Sequence, residues 1–441
     1  MKTSSKIKCL NGLFFIFIIT ILIGFLYQFF EPSPYKSWGV SDFLINYQGG
    51  FVRRGLLGEI LFFLTRHFGW DIVWVIKIIS AVCCIAVCAY FTKEFLRKGY
   101  TWYILPLCFF CGGPLMGFSW IRKDFMMLGI FISIFLIYHH KSLPSLLKFI
   151  LVNLLSLFMI LSHEVFAFFF LPVFFIVLFA AYKETGRSIL TAFGRSFLFL
   201  LPCIVAFLVV LANHGNMETA QAIWESWHVL TNKEMEPLQW NNSITAIGWD
   251  SVWAFTHHYK SNFFIADHGI LSFFSWIITF PIVYYIAINA LAVFKKNPEI
   301  YTENNRTILS SLIFFQFVCL LPLFTILSVD MIRIFFYLIA SSFAMFLIVP
   351  GHSLEVVFPA KFTGYIAKIN KGLDEIVRPT KATISMLMLI ICIPPYSFVL
   401  YFTATSSVIY RVLVFFSQIF IFILKPFGLP YEFDPPFLFA D

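Results

Sequence analysis

The chain has 441 residues, a formal net charge of +8, and 60% hydrophobic against only 12% charged residues; its mean hydropathy is +0.86. A soluble protein of this length cannot bury so much apolar surface. The composition therefore excludes a soluble globular protein and indicates a polytopic membrane protein.

Apolar runs of about 20 residues recur along the chain and predict an all-α protein with about 11–12 transmembrane helices in one polytopic domain, residues 1–441. The first run, residues 10–30, follows three lysines and lacks a small-residue cleavage pattern, so we expect it to be retained rather than removed as a signal peptide. The other predicted spans are residues 72–92, 102–118, 125–140, 148–162, 165–182, 196–212, 269–293, 308–329, 333–349, 383–403 and a shorter segment at 410–425.

The distribution of basic residues predicts the orientation. With a cytoplasmic N-terminus, 19 of the 31 Lys and Arg residues fall on the cytoplasmic side, as the positive-inside rule requires. The net positive charge therefore needs no nucleic-acid partner. Outer loops are predicted at 31–71 and 213–268, and an inner basic loop with two surface helices at 350–382.

The first outer loop contains the stretch NYQGGFVRRGLLGEI, in which Arg53 and Arg54 follow a tight glycine turn and precede a predicted amphipathic interfacial helix. Guanidinium groups bind phosphate oxygens in bidentate geometry, and helix N-termini also favour anions. The alternative is that both arginines only anchor the helix to lipid headgroups. Asp42, just before them, is either a general base or a helix N-cap.

Three further outer turns contain charged residues at the membrane boundary, where charges are costly unless they pair or serve a site. Asp124 is a ligand-binding residue or a neutralising partner of Arg122 or Lys123. His163 and Glu164 form a proton-transfer couple, a cation site or a satisfied polar pair. Asp330 and Arg333 share a helix face, as an internal ion pair or as a phosphate-binding site with Arg333.

The long outer loop is rich in Trp and His. Its Trp side chains form either an interfacial belt or a stacking surface for sugar rings, and His214 stands at its start. The histidines lack tight metal-ligand spacing, so neither a metal nor another cofactor is predicted. The nine cysteines lie at or within apolar runs and form no disulfide or zinc pattern. A nucleotide-binding glycine loop is also missing from the sequence.

An acidic residue in the first outer loop followed by an amphipathic helix resembles the GT-C class of membrane glycosyltransferases. The chain length, the Phe-rich composition and the single long outer loop resemble bacterial O-antigen and capsule polymerases. One polymerase pattern, an Arg with a Gly eleven positions later, is missing here at Arg53, Arg54, Arg122 and Arg333.

The resemblance implies an enzyme of surface-polysaccharide synthesis in the bacterial inner membrane, multi-pass with its N-terminus in the cytoplasm. Its substrate would be a polyprenyl-phosphate- or polyprenyl-diphosphate-linked glycan at the periplasmic face, and its neighbours membrane lipid and other polysaccharide-assembly proteins. Asp42 is then the expected base, with His163 and Glu164 as rivals. The expected substrate-binding residues are Arg53, Arg54, Arg122, Lys123, Asp124, Asp330, Arg333 and His214. The alternative function is a transporter or flippase of a lipid-linked glycan or small solute, and a third is a non-catalytic subunit.

Overall fold

The computed structural model describes residues 25–31, 37–102, 120–231, 242–263, 271–328 and 331–391, with residues 12, 15, 19, 22, 23 and 238. Within these ranges the fold is all-α and contains no strand. Its helices are α1 (Trp38–Leu44), α2 (Gly55–Phe68), α3 (Ile72–Arg97), α4 (Asp124–His139), α5 (Ser145–Ser162), α6 (Val165–Glu184), α7 (Ile189–Ala212), α8 (Met217–Thr231), α9 (Ser251–Phe263), α10 (Leu271–Val293), α11 (Glu303–Pro322), α12 (Met331–Ile348), α13 (Gly351–Glu355), α14 (Ala360–Ile376) and α15 (Lys381–Ile391). Short 3-10 turns occupy Thr245–Ile247 and Pro298–Ile300, and α11 continues as a π-helical turn, Leu323–Leu327.

Within the described residues, five helical segments are long and apolar enough to cross a membrane: α3, α5, α6, α7 and the segment Pro298–Leu327 that contains α11. Asp124–His139, Phe280–Val293 and Arg333–Ile348 are shorter apolar helices. This confirms the predicted class, a multi-pass helical membrane protein. The predicted spans at 102–118 and 410–425 lie outside the described residues, apart from residue 102, and most of 383–403 does too.

The bundle has two ends, named here by a residue at each. At the Asp42 end α5, α7 and α11 finish, and α4, α6 and α12 begin. At the Arg306 end α3, α6 and α12 finish and α11 begins. Side chains cap several of these helices: Asp71 accepts hydrogen bonds from two backbone N–H groups of α3, and Thr302 caps α11.

Aromatic side chains fill the core between α4, α6, α11 and α12. Phe169 stacks on Tyr337 with ring centroids 5.0 Å apart, and it packs tilted against Phe131 at 5.7 Å. Gln316 of α11 donates hydrogen bonds to the Phe169 carbonyl (3.1 Å) and to Ser341 (2.7 Å), so this buried amide joins three helices. These contacts fix the central helices relative to one another, and they thereby also fix the relative positions of the charged residues at the helix ends.

Helix α2 is the amphipathic helix that the sequence predicts. Its buried face includes Leu57, Leu61 and Phe62 and packs on α1 and α5, while Arg66 and His67 are exposed. Gly58 is required for this packing, because a Cβ there would lie 1.8 Å from the Ile45 carbonyl oxygen. The contact holds α1, which carries Asp42, directly against the start of the bundle.

The described parts of the long loop 213–268 form two helices, α8 and α9. Trp227 of α8 donates its indole N–H to the Leu44 carbonyl at 2.7 Å, and Asn46 donates to Ser226 at 3.0 Å. Ser243 binds Ser41 and the Trp38 carbonyl. The first half of this loop therefore packs against α1 and the segment that follows α1, and it stabilises their position. Helix α9 packs against the π-helical end of α11.

The basic segment 350–382 contains α13 and α14, the surface helix pair that the sequence predicts. Helix α14 is attached to α11 by a bidentate pair in which Arg306 donates to both Asp374 carboxylate oxygens, at 2.7 and 2.8 Å. Asn370 adds a hydrogen bond to Ser310 at 3.0 Å. The Arg306 end thus has a charge network of its own, formed by Arg306, Asp374 and Glu303.

Candidate functional site

Asp42 lies inside α1 and its side chain is almost fully buried. The alternative reading, that it is a helix N-cap, is wrong, because α1 is preceded by Ser37 at the cap position. A buried carboxylate normally accepts hydrogen bonds or pairs closely with a cation. Asp42 has three nitrogen neighbours instead, at 3.5 to 4.0 Å: Arg54 Nη1, Lys123 Nζ and His163 Nε2.

The loop that carries Arg53 and Arg54 is organised by Glu59 of α2. Its carboxylate accepts from the Tyr47 backbone N–H (2.9 Å) and from the Gln48 amide (2.8 Å). Arg54 has a left-handed backbone, φ 67°, the only positive φ of a non-glycine residue within the described ranges. That conformation costs about 1–2 kcal/mol, so the contacts of its side chain have to hold it.

Those contacts are with Glu164, in the short break between α5 and α6. Arg54 Nε donates to Glu164 at 2.8 and 3.0 Å, and its Nη2 donates at 2.5 Å. Burial alone would raise the pKa of Glu164, but the Arg54 charge and hydrogen bonds overcome burial and hold that pKa well below its usual range. Burial would lower the pKa of Arg54, and Glu164 raises it instead.

Lys123 precedes α4 and its side chain has no exposed surface. Its ammonium donates to the Ser162 carbonyl at 3.0 Å and lies 3.6 Å from Asp42. Burial lowers the pKa of Lys123 to about 8, although Asp42 opposes the shift. Burial would raise the pKa of Asp42, but nearby positive charges outweigh burial and lower that pKa to about 2. The charges are, in decreasing order of effect, those of Lys123, of His163 once it is protonated at low pH, of Arg54 and of Arg333.

His163 is buried between the two carboxylates, 4.0 Å from Asp42 and 3.9 Å from Glu164. It forms no hydrogen bond with Glu164, so the reading of these two residues as a satisfied polar pair is wrong: Glu164 is satisfied by Arg54. Burial, reinforced by the charge of Arg54, lowers the pKa of His163 to about 3. The ring is therefore neutral at physiological pH.

Asp124, the first residue of α4, is fully buried and binds across the bundle. Its Oδ1 accepts from Arg333 Nε at 2.8 Å and from the Tyr337 hydroxyl. The interpretation in which Asp124 neutralises the adjacent Lys123 is wrong, because the Lys123 ammonium lies near Asp42 instead. The charge of Arg122, the other predicted partner, does stabilise the ionised form of Asp124. Asp330 lies outside the described residues, so its predicted pairing with Arg333 stays a prediction. Tyr337 was missed, although it follows Arg333 by one helical turn.

Arg53 is partly accessible, with 29% of its side chain exposed. One guanidinium nitrogen donates to the Ala246 carbonyl at 3.0 Å, and another lies 3.7 Å from Glu164. Its Nε has no hydrogen-bond partner among the described residues. The Arg53 backbone N–H donates to the Asn213 carbonyl, next to His214. His214 is exposed and forms no hydrogen bond or ion pair with the described residues of the cluster. His258 of α9 is close enough for Arg53 and Arg54 to add to the lowering of its pKa, which is caused first by burial.

The structure thus brings residues from five distant segments into one cluster at the Asp42 end. Among the described residues, five basic side chains face three carboxylates, and this positive excess favours an anion. The members are Asp42, Arg53, Arg54, Arg122, Lys123, Asp124, His163, Glu164 and Arg333. Within the described part of the chain, no group of three or more His, Cys, Asp or Glu residues is arranged to hold a metal ion.

Comparison with known proteins adds no relative: no protein-family model, curated protein or solved structure matches this chain.

Proposed function

We propose that this protein is a membrane glycosyltransferase or glycan polymerase that uses a polyprenyl-phosphate- or polyprenyl-diphosphate-linked sugar. The observation that carries the proposal is the buried cluster around Asp42. This carboxylate is held ionised and its Oδ1 accepts no hydrogen bond from a described residue, and it lies in the same cluster as Arg53, whose Nε has no partner among those residues. A base next to an anion-binding group is what transfer of a sugar from a phosphate leaving group requires.

In the proposed reaction, an acceptor hydroxyl oxygen attacks the anomeric carbon of the donor sugar. The bond from that carbon to the phosphate oxygen breaks, and its electron pair leaves with the phosphate. Asp42 takes the hydroxyl proton, and Arg53 stabilises the negative charge that develops on the leaving group. The cations that surround Asp42 keep it deprotonated before each turnover.

Of the three predicted bases, the geometry favours Asp42. Glu164 already accepts three hydrogen bonds from Arg54, and these engage both of its carboxylate oxygens. His163 Nδ1 accepts from the Val165 backbone N–H, so the proton of the neutral ring is on Nε2 and neither nitrogen has a free lone pair for the acceptor proton. Both arginines were equal candidates in the sequence. Since Arg54 is bound by Glu164, Arg53 is the stronger candidate for the phosphate.

The proposal includes a location: the bacterial inner membrane, with the N-terminus in the cytoplasm and the Asp42 end facing the periplasm. Exposed lysines and arginines of the Arg306 end, such as Lys371 on α14, support this orientation through the positive-inside rule. Single cysteines placed at exposed Arg66 and Lys371 in a cysteine-free background test it. Position 66 should react with an impermeant thiol reagent in intact cells and position 371 should not; the reverse pattern would refute the orientation.

Arg53→Lys tests the phosphate-binding role, because lysine keeps the charge but loses the bidentate fork. Loss of one donor to a developing anion costs about 10²–10³-fold in rate, so glycan formation in a complemented deletion strain should fall by that order, and further in Arg53→Ala. Arg97→Lys is the matched control, since Arg97 is exposed at the other end and pairs with Glu94. Near-normal glycan from Arg53→Lys, at equal membrane levels, would mean that Arg53 is only a lipid anchor.

A further inference from the structure

Asp42 and His163 each have one buried polar atom with unmet hydrogen-bonding capacity. Asp42 Oδ1 and His163 Nε2 are both buried, and neither has a hydrogen-bond partner among the described residues. Unsatisfied buried polar atoms are rare in folded proteins and cost about 1–3 kcal/mol each. His163 Nε2 lies 4.0 Å from Oδ2, the other oxygen of the same Asp42 carboxylate, so a single bound group can reach both side chains.

The hydrogen bonds of His163 identify which nitrogen carries its proton. The Val165 backbone N–H donates to His163 Nδ1 at 3.4 Å, so Nδ1 is an acceptor and has no proton. In a neutral ring the proton is then on Nε2, the nitrogen that faces Asp42. On the side where the two residues face each other, His163 therefore offers one N–H donor and the Asp42 carboxylate offers only acceptors.

The distance between the two residues fits one oxygen atom. His163 Nε2 and Asp42 Oδ2 are 4.0 Å apart, too far for a direct hydrogen bond. A single oxygen placed at the usual hydrogen-bond distance of about 2.8 Å from each would bridge them with an angle of about 90° at the oxygen. A group there must accept one hydrogen bond and donate another. The hydroxyl group of an alcohol does both, as does a water molecule that holds the place before substrate binds, whereas an unprotonated phosphate oxygen has no proton for Asp42 and an ammonium cannot accept from His163.

We infer that Asp42 and His163 form a binding slot for a single alcohol hydroxyl, the nucleophile of the acceptor sugar. This inference rests on the proposed glycosyl transfer. His163 Nε2–H donates to the hydroxyl oxygen and fixes its position, while the hydroxyl proton points to the Asp42 carboxylate. His163 is thus a substrate-binding partner of Asp42 and not a rival base. The division of roles explains why both residues are buried deeper than the arginines, which lie at the more exposed side of the cluster.

Amide substitutions separate a donor from a base. The Nε2 of glutamine reaches about as far as the Nε2 of histidine and carries N–H donors, but an amide does not accept a proton at neutral pH. His163→Gln should therefore keep glycan formation within about tenfold of the wild type. His163→Asn, whose amide is one carbon shorter, and His163→Leu should each lose about 10²-fold or more, the cost of a mispositioned nucleophile. Equal losses in the Gln and Leu variants, at equal membrane levels, would overturn the donor role.

A spectroscopic measurement tests the slot without any assay of transfer. In protein labelled with ¹⁵N-histidine, the His163 signal, assigned by its loss in His163→Asn, should show a neutral ring protonated at Nε2 at pH 7. A ring protonated at Nδ1, or a charged ring, would overturn the inference even if the protein transfers sugars. An Nε2-protonated ring in a wild-type protein that forms no glycan would instead refute the proposed function while leaving the donor geometry intact.

Discussion

Asp42→Asn and Glu164→Gln each remove one carboxylate charge from the same buried cluster, yet the structure predicts opposite rankings for stability and for activity. The difference comes from the cation that each carboxylate neutralises. Glu164 holds Arg54 by three hydrogen bonds of 2.5 to 3.0 Å, whereas Asp42 lies 3.6 Å from Lys123.

Glu164→Gln should be the more destabilising of the two. Arg54 cannot lose its proton, so the variant leaves a buried cation with Asp42 at 3.5 Å as its remaining carboxylate neighbour. Breaking a buried pair in this way costs about 3–5 kcal/mol. In Asp42→Asn, Lys123 can instead become neutral. Because the pKa of Lys123 is about 8, removing its proton at pH 7 costs about 1.4 kcal/mol. We therefore expect Asp42→Asn to lower the free energy of unfolding by about 1–3 kcal/mol.

Activity should rank the other way. Asp42→Asn removes the base and should lower glycan formation by about 10²–10⁴-fold, while Glu164→Gln keeps the base and should lose less than about tenfold per folded molecule. The assays are thermal unfolding of each purified variant in detergent at pH 7 and glycan formation normalised to membrane level. An Asp42→Asn variant that melts below Glu164→Gln, or that retains more than a tenth of wild-type activity, would refute the assigned charge pairing or the base.

Two further outcomes follow from the packing and from the protonation of the cluster. Gly58→Ala should prevent stable packing of α2 on α1, because the new Cβ would lie 1.8 Å from the Ile45 carbonyl oxygen. Gly129→Ala is the control and should melt like the wild type, because its Cβ would meet Val87 at an ordinary 3.5 Å. Equal melting temperatures of the two variants would show that α2 and α1 do not approach so closely at Gly58. The folded protein leaves His163 neutral down to a pKa of about 3, while the unfolded chain protonates it near pH 6.5. The free energy of unfolding should therefore fall as the pH is lowered between these values, with His163 contributing up to about 1.4 kcal/mol per pH unit. In His163→Gln the free energy of unfolding should depend less steeply on pH. The same pH dependence in the variant and the wild type would contradict a buried neutral ring.

Much of the fold follows from local sequence patterns. The helix bounds of α3, α5 and α6 are predicted to within a few residues because each apolar run ends at polar residues, as at Ser162, His163 and Glu164. The amphipathic helix α2 also follows from spacing alone. The packing of α8 against α1 does not follow from local patterns, because it depends on the hydrogen bond of Trp227 to a carbonyl 183 residues away.

The candidate site shows the same division. The sequence identifies its charged residues, since charges at membrane boundaries need partners, but it pairs them with their neighbours in the chain. The structure pairs Arg54 with Glu164 and Arg333 with Asp124, across 110 and 209 residues. Such pairs depend on which helices lie side by side, and no local spacing encodes that. Tyr337 was overlooked because a tyrosine in an apolar run looks like an ordinary core residue.

The most direct test of the central claim is the fate of the lipid-linked substrate in cells that express Asp42→Asn. Lipid extracts are compared by mass spectrometry with those of cells expressing the wild type or Asp374→Asn, a carboxylate substitution at the Arg306 end. If Asp42 is the base of glycosyl transfer, polyprenyl-linked glycan should accumulate only in the Asp42→Asn strain, with the variant present in the membrane at normal level. Normal turnover of lipid-linked glycan in that strain would contradict the proposed reaction.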